Sequence, residues 1–311
     1  MSLYSPPETR WCEVFSAIPE VLKRHDARSE WIDANKPGQS VPSFLEGPVF
    51  DAEGNLFVTD IPHGRIFKVD GDGRWEAIAA YDGWPNGMRF GPDGRLWIAD
   101  YRHGILTLDP AGGEPQPLLT HIGSERFKGV NDLFFDRRGR LYFTDQGQTG
   151  LQDPTGRVYR YDPDTQRLDR LIDNGISPNG LVTDLEEKAL FVAMTRGNGV
   201  WRVPLKDQAP AGKVGLFVQL AGGVSGADGL ALDEAGNLFV CDAGNGCVWV
   251  FDRHGVPLWR LRSPTAGRTL TNLAFGGPER RTLYMTESAT GTILTIEMDT
   301  PGRALVYSSR P

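Results

Sequence analysis

The sequence predicts an all-β protein, a six-bladed β-propeller with four-stranded antiparallel blades, and three observations carry that prediction. Turn-making residues are abundant, with 38 glycines and 22 prolines among 311 residues. A strand–turn–strand unit recurs six times. The copies follow one another at 40 to 49 residues, a propeller-blade period.

The repeat is clearest in GPVFDAEGNLFVTD (47–60), NGMRFGPDGRLWIAD (86–100), NDLFFDRRGRLYFTD (131–145) and DGLALDEAGNLFVCD (228–242). In each, an apolar strand enters a tight turn and a second strand leaves it. NGLVTDLEEKALFVAM (179–194) and NLAFGGPERRTLYMTE (272–287) are degenerate copies. The second-strand leucines Leu56, Leu96, Leu141, Leu190, Leu238 and Leu283 lie 40, 45, 49, 48 and 45 residues apart. A third strand follows each pair, at 64–70, 104–109, 156–162, 197–204, 246–252 and 291–298, and usually a fourth, such as LDRLI (168–172) or PLWRLR (257–262). Radial repetition leaves each blade only short, protected edges.

A ring must close, and the expected device is an N-terminal strand in the last blade. SEWID (29–33) is placed in that slot, with the C-terminal ALVYS (304–308) as its competitor. Residues 10–25 read as an extension on the outside or across one end of the ring. The domain organisation is therefore 1–35 as extension and closing strand and 36–311 as the propeller, together one domain.

A net charge of −7 opposes binding of nucleic acid, and no basic stripe is interleaved with aromatics. Met1–Arg10 lacks the apolar stretch of a signal peptide, and no segment reaches membrane-spanning length, so a cytoplasmic protein without membrane contact is expected. Cys12, Cys241 and Cys247 form no CxxC pair, so neither a disulfide framework nor a thiolate zinc site is expected. The expected partner is a small-molecule substrate, and the expected assembly a monomer or small homo-oligomer.

Counting back 10 or 11 residues from each leucine lands on Glu46, Asn86, Asn131, Asn179, Asp228 and Asn272, all polar. Each precedes an innermost strand, so the six should converge at one end of the central channel. Turn capping accounts for any one of them. For six equivalent positions the better reading is an oxygen-only site for a hard divalent cation, with the two carboxylates neutralising its charge. Calcium fits first, and zinc, manganese or iron are alternative occupants.

These segments resemble the SMP-30/gluconolactonase/luciferin-regenerating family, which includes the Drp35-type lactonases and the squid-type diisopropylfluorophosphatase. The resemblance rests on FLEGPVFD (44–51), VNDLFFDRRGRLYFTD (130–145), SPNGLVTD (177–184) and GADGLALDEAGNLFV (226–240), in order and at blade spacing. It implies metal-dependent hydrolysis, most often of sugar lactones and less often of organophosphates, with Glu46, Asn131, Asn179 and Asp228 as metal ligands. By resemblance, Asp228 is also the expected base, with Glu46 as the alternative. The family's lactone-binding arginine corresponds to Gly129 here, while Asp132 matches the neighbouring acid. Lys128, Arg126 or Arg102 would have to substitute from another direction. The expected substrate-binding set is Asn131, Asp132, Lys128, Trp84 and Arg102, with Tyr101, Phe127 and the loop 146–156 in connections at the same end.

Rival chemistries lack their residues. There is no GxSxG elbow, and His25, His63, His103, His121 and His254 show no metal-ligand spacing. His63 and His103 read as exposed loop residues. An organophosphate or other ester hydrolase with the same metal, and a non-catalytic NHL-like binding propeller, are the alternative functions. A second register, Asp60, Asp100, Asp145, Met194, Asp242 and Glu287, reads as caps for the turns into the third strands.

Overall fold

A computed structural model describes residues 7–207, 211–223 and 226–307. Six blades are arranged around a central channel, and each blade follows the chain from its innermost strand outward. The innermost strands are Leu45–Phe50, Pro85–Phe90, Val130–Phe135, Pro178–Thr183, Gly226–Leu232 and Leu270–Gly276. All six anchor leucines are buried at 1% exposure or less, within the apolar layers between blades.

Ring closure is N-terminal, but by different residues from those expected. Glu13–Ala17 pairs antiparallel with Thr292–Glu297 and supplies the outer strand of blade 6. SEWID does not. Its Ser29 accepts a hydrogen bond from the Ile32 amide and caps helix α1 (Glu30–Asn35), which also has Glu30 and Asp33 in its first turn. The apolar pair Trp31–Ile32 then packs with Val41 and Ile61. Five residues are too few to separate a helical from an alternating pattern, which is why the segment reads either way. Glu8–Trp11 adds a parallel fifth strand to blade 5 along Pro257–Arg262 and covers its outer edge.

The C-terminal competitor forms no strand over 304–307, and residue 308 lies outside the described residues. The chain instead crosses the channel end opposite the ring of polar residues. Gly302 pairs with Asp233, and the Tyr307 ring sits edge-on to Phe135 at 5.2 Å. Arg303 is the anchor of this crossing. Its guanidinium donates to the Thr183 carbonyl and hydroxyl at 2.7 and 2.8 Å and to Glu187 at 2.7 Å. Arg303→Ala would leave these buried acceptors unmatched, so a loss of about 3 kcal/mol is expected. A melting curve should show it as a fall of roughly 4–6 °C.

All three cysteines are free and buried, and no helix among the described residues is long and apolar enough to cross a membrane. His63 is not the exposed loop residue expected. It is part-buried, and its Nε2 lies 3.0 Å from the Val41 carbonyl below α1.

Candidate metal centre

The six ring residues sit where the ladder of each innermost strand breaks register, at 46–49, 85–88, 130–133, 178–181, 227–230 and 270–272. A bulge takes a residue out of the two-fold alternation and re-aims its side chain. Glycines let the strands crowd around the axis. Gly47 holds φ at +53°, and a Cβ there would lie 2.2 Å from the Asn86 carbonyl. At Gly229 it would meet the Asn272 amide at 2.4 Å.

Hydroxyls stitch neighbouring blades at the same level. Thr59 donates to the Asn86 carbonyl at 2.9 Å, Thr144 to that of Asn179 at 2.8 Å, Thr195 to that of Ala227 at 2.8 Å, and Thr271 to that of Leu45 at 2.9 Å. The acids of the second register cap turns, but only Asp100 and Glu287 cap those into the third strands as expected, while Asp60 and Asp145 hold the loops entering the innermost strands. Asp60 accepts from the Phe44 amide, Asp145 from Gly129, Asp100 from Arg102 and His103, and Glu287 from Thr269 and Thr290.

Within this frame the ring positions divide. Asn131 spends its Nδ2 on Gln146 at 3.1 Å and Asn179 its Nδ2 on Thr195 at 3.2 Å. Their Oδ1 atoms, together with Asp228 Oδ1, are buried and receive no hydrogen bond. A buried acceptor without a donor carries a desolvation cost. Three such oxygens from three blades, with the Glu46 carboxylate, are the donor set a hard cation takes. Among the described residues no three histidines, cysteines or acids form a metal cluster, so such a centre depends on the amides.

Asn272 has the complementary task. Its Oδ1 accepts from its own strand at Leu273, and its Nδ2 donates to Glu46 Oε2 at 2.8 Å and Asp132 at 3.4 Å. It orients Glu46, whose Oε2 also accepts from Gly47 at 2.7 Å. Asn86 contributes its carbonyl to the stitching. Without a cation, burial and then the nearby Asp132 charge push the Glu46 carboxyl up to about 8. Burial, Glu46 and Asp132 hold Asp228 well above the usual carboxylate range, opposed by Asn179 and Lys36. Asp132 is raised by burial and eased by Arg89 beside it.

The expected substrate-binding residues separate. Asn131 faces the site. Asp132 is 1% exposed and packed against Gly87, where a Cβ would meet its carboxylate at 2.1 Å, so it lines the inner channel. Trp84 packs on Tyr101 at 5.5 Å and under the Arg102 guanidinium at 5.3 Å. Arg102 is paired with Asp82, and the Lys128 ammonium with the Thr155 hydroxyl. At Gly129 a side chain would collide with the Tyr101 ring, 2.5 Å from a Cβ, so the aromatic occupies that space.

A pocket of about 410 Å³ lies beside the ring amides, walled by Asn35 of α1, by Gln146, Gln148 and Gln152 of the blade 3 loop, and by Thr195 and Arg196. Sequence reasoning placed the loop, Gln146 included, at this end but passed over Thr195 and Asn35. The threonine that precedes three of the capping acids, in VTD, FTD and MTE, was a visible signal for the stitching hydroxyls Thr59 and Thr144, and for Thr286.

A family model described as the SMP-30/gluconolactonase/LRE-like region matches residues 44–289. The chain is 30% identical over 280 residues to lactonase drp35 of Staphylococcus haemolyticus, covering 85% of this chain and 82% of that one. Among solved structures it resembles a gluconolactonase from Xanthomonas campestris (TM-score 0.71, 24% identity, 84% and 86% of the two chains covered). It also resembles regucalcin, a calcium-binding protein from Agrobacterium tumefaciens (TM-score 0.73, 22% identity, 86% and 94% covered). At these identities the two structures speak for the fold alone.

Proposed function

Because the chain belongs to the SMP-30/gluconolactonase/LRE-like family, we propose that it is a lactonase that opens a sugar lactone to its hydroxy acid at a divalent-cation site built from Glu46, Asn131, Asn179 and Asp228. The observation that carries this reading is the trio of buried, donor-less oxygens on Asn131, Asn179 and Asp228 beside the Glu46 carboxylate. Calcium is the first expected occupant, since every donor is an oxygen. When bound, the cation supplies polarisation of the lactone carbonyl and acidification of a water.

The chain's own groups do the rest. Asp228 takes the proton from the attacking water as its oxygen bonds to the carbonyl carbon, and returns it to the ring oxygen when the acyl C–O bond breaks. Asn272 and the Gly47 amide fix Glu46, leaving it a ligand rather than a competing base. The amides and hydroxyls around the pocket match a polyhydroxylated substrate better than an apolar ester.

Acid release from glucono-, galactono- and xylonolactone, with and without chelator, tests the reading. Wild-type turnover should be abolished by chelator and restored by calcium, and Asn179→Ala should lower kcat/KM by about 10–100-fold through loss of a ligand. Chelator-insensitive turnover would contradict it.

A further inference from the structure

Two cations near the metal-end pocket have no ion pair among the described residues, Arg196 in its wall and Lys36 next to the wall residue Asn35. Arg196 follows Thr195, the residue that orients Asn179, and lies exposed on the pocket wall, without an ion pair among the described residues. Lys36 closes helix α1, directly after Asn35 of the same wall. It too has no ion pair among the described residues. Its ammonium lies 5.5 Å from the centroid of Phe44, two residues before Glu46, and close enough to Asp228 to favour that group's charged form.

Helix α1 is held over this end of the channel by Trp31 and Ile32, which pack with Val41, Ile61, Phe44 and Trp84. It precedes the family-matched region, which begins at residue 44. Of the three cations expected to replace the arginine absent at Gly129, Lys128 is bonded to Thr155 and Arg102 is paired with Asp82, while Arg126 lines a different pocket, with His103 and His121. None of the residues lining the pocket is acidic, although the chain as a whole carries a net charge of −7.

Resting on the lactonase reading above, we infer that the substrate is a polyhydroxylated lactone carrying a free carboxylate, which Lys36 and Arg196 recognise while the surrounding amides and hydroxyls bind its hydroxyl groups. Neutral amides suit hydroxyls, which both donate and accept. Ammonium and guanidinium groups donate only, and their strongest partner is a carboxylate. Lys36 and Arg196 are substrate-binding groups in this account and take no part in the proton transfers.

A matched pair of substrates tests the inference. Galactono-1,4-lactone and galactaro-1,4-lactone share a ring and differ only in a terminal CH2OH against a carboxylate. With calcium present, kcat/KM is expected to favour the acidic lactone by at least about 10-fold. That ratio should shrink as salt rises, because the contacts lie near the surface. Lys36→Met and Arg196→Met should each cut the ratio severalfold, the double variant should bring it near one, and Lys36→Arg should retain most of it. Circular dichroism melts check that the variants fold. A ratio at or below one in the wild type, or a preference that survives the double variant, would overturn the inference and leave the lactonase reading intact. Absence of chelator-sensitive turnover of either lactone would overturn that reading, and the inference with it.

Discussion

Asp228→Asn is expected to lower kcat/KM for lactone opening by about a thousandfold or more, while the melting temperature of the cation-free protein rises. The side chain changes one oxygen for an NH2 and little else in volume. Its carboxylate contributes ligand charge and accepts the proton of the attacking water, and the variant removes both. The opposite effect on stability comes from the same burial. The Asp132 charge raises Glu46, and both raise Asp228, so the cation-free fold must protonate Asp228 or hold a further charge there, and the neutral amide carries neither cost. Kinetics and a melt on one preparation check both signs. A loss of activity with an equal loss of stability would mean that Asp228 only holds the fold.

The second large effect is the dependence of the cation-free protein on pH. The Glu46 carboxyl is pushed up to about 8 from an ordinary 4.5. Between those values the folded chain keeps a proton that the unfolded chain has released. The associated stability is therefore complete below about pH 4.5 and disappears as the pH rises through about 8. The shift corresponds to on the order of 3 kcal/mol once shared among interacting acids. In melts with chelator, stability should fall from pH 5 to 9, against the usual trend for carboxylates. Calcium should reverse the slope, because it replaces the protons, and its affinity should increase over the same range. Identical profiles with and without calcium would argue against a cation among these carboxylates.

What the sequence made legible follows from periodicity. The leucine anchors, the turns after them and the six polar positions recur at blade spacing, so the number of blades and the ring could be read by counting, while the choice of Glu46, Asn131, Asn179 and Asp228 within it came from the family resemblance. The bulge that aims these side chains into the channel could not, because it depends on pairing between strands rather than on residue type. The division of labour inside the ring was equally hidden. Asn131 and Asn272 are the same residue at equivalent positions, yet one exposes its oxygen to the site and the other spends its amide hydrogens on Glu46. Only their neighbours, Gln146 for the first and Glu46 for the second, decide which atom is free.

Closure by the N-terminus holds, but the segment that performs it was misplaced for a related reason. Non-repeating segments lack the self-similarity that fixed the blades. EVFSA (13–17) and SEWID (29–33) are both short and half-apolar, and the choice between them rests on the Ser29 cap and the partners of Trp31. Helix α1 and its Lys36 thus reached the metal end without any signal in the repeat.

The central claim is that one divalent cation is held by the four ring residues, and calorimetric titration of chelator-treated protein with calcium tests it most directly. The account predicts one ion per chain for the wild type, with proton release on binding at pH 7, and greatly weakened binding for Glu46→Gln and Asp228→Asn. No binding of calcium, zinc, manganese or iron by the wild type, or binding unchanged in both variants, would contradict it.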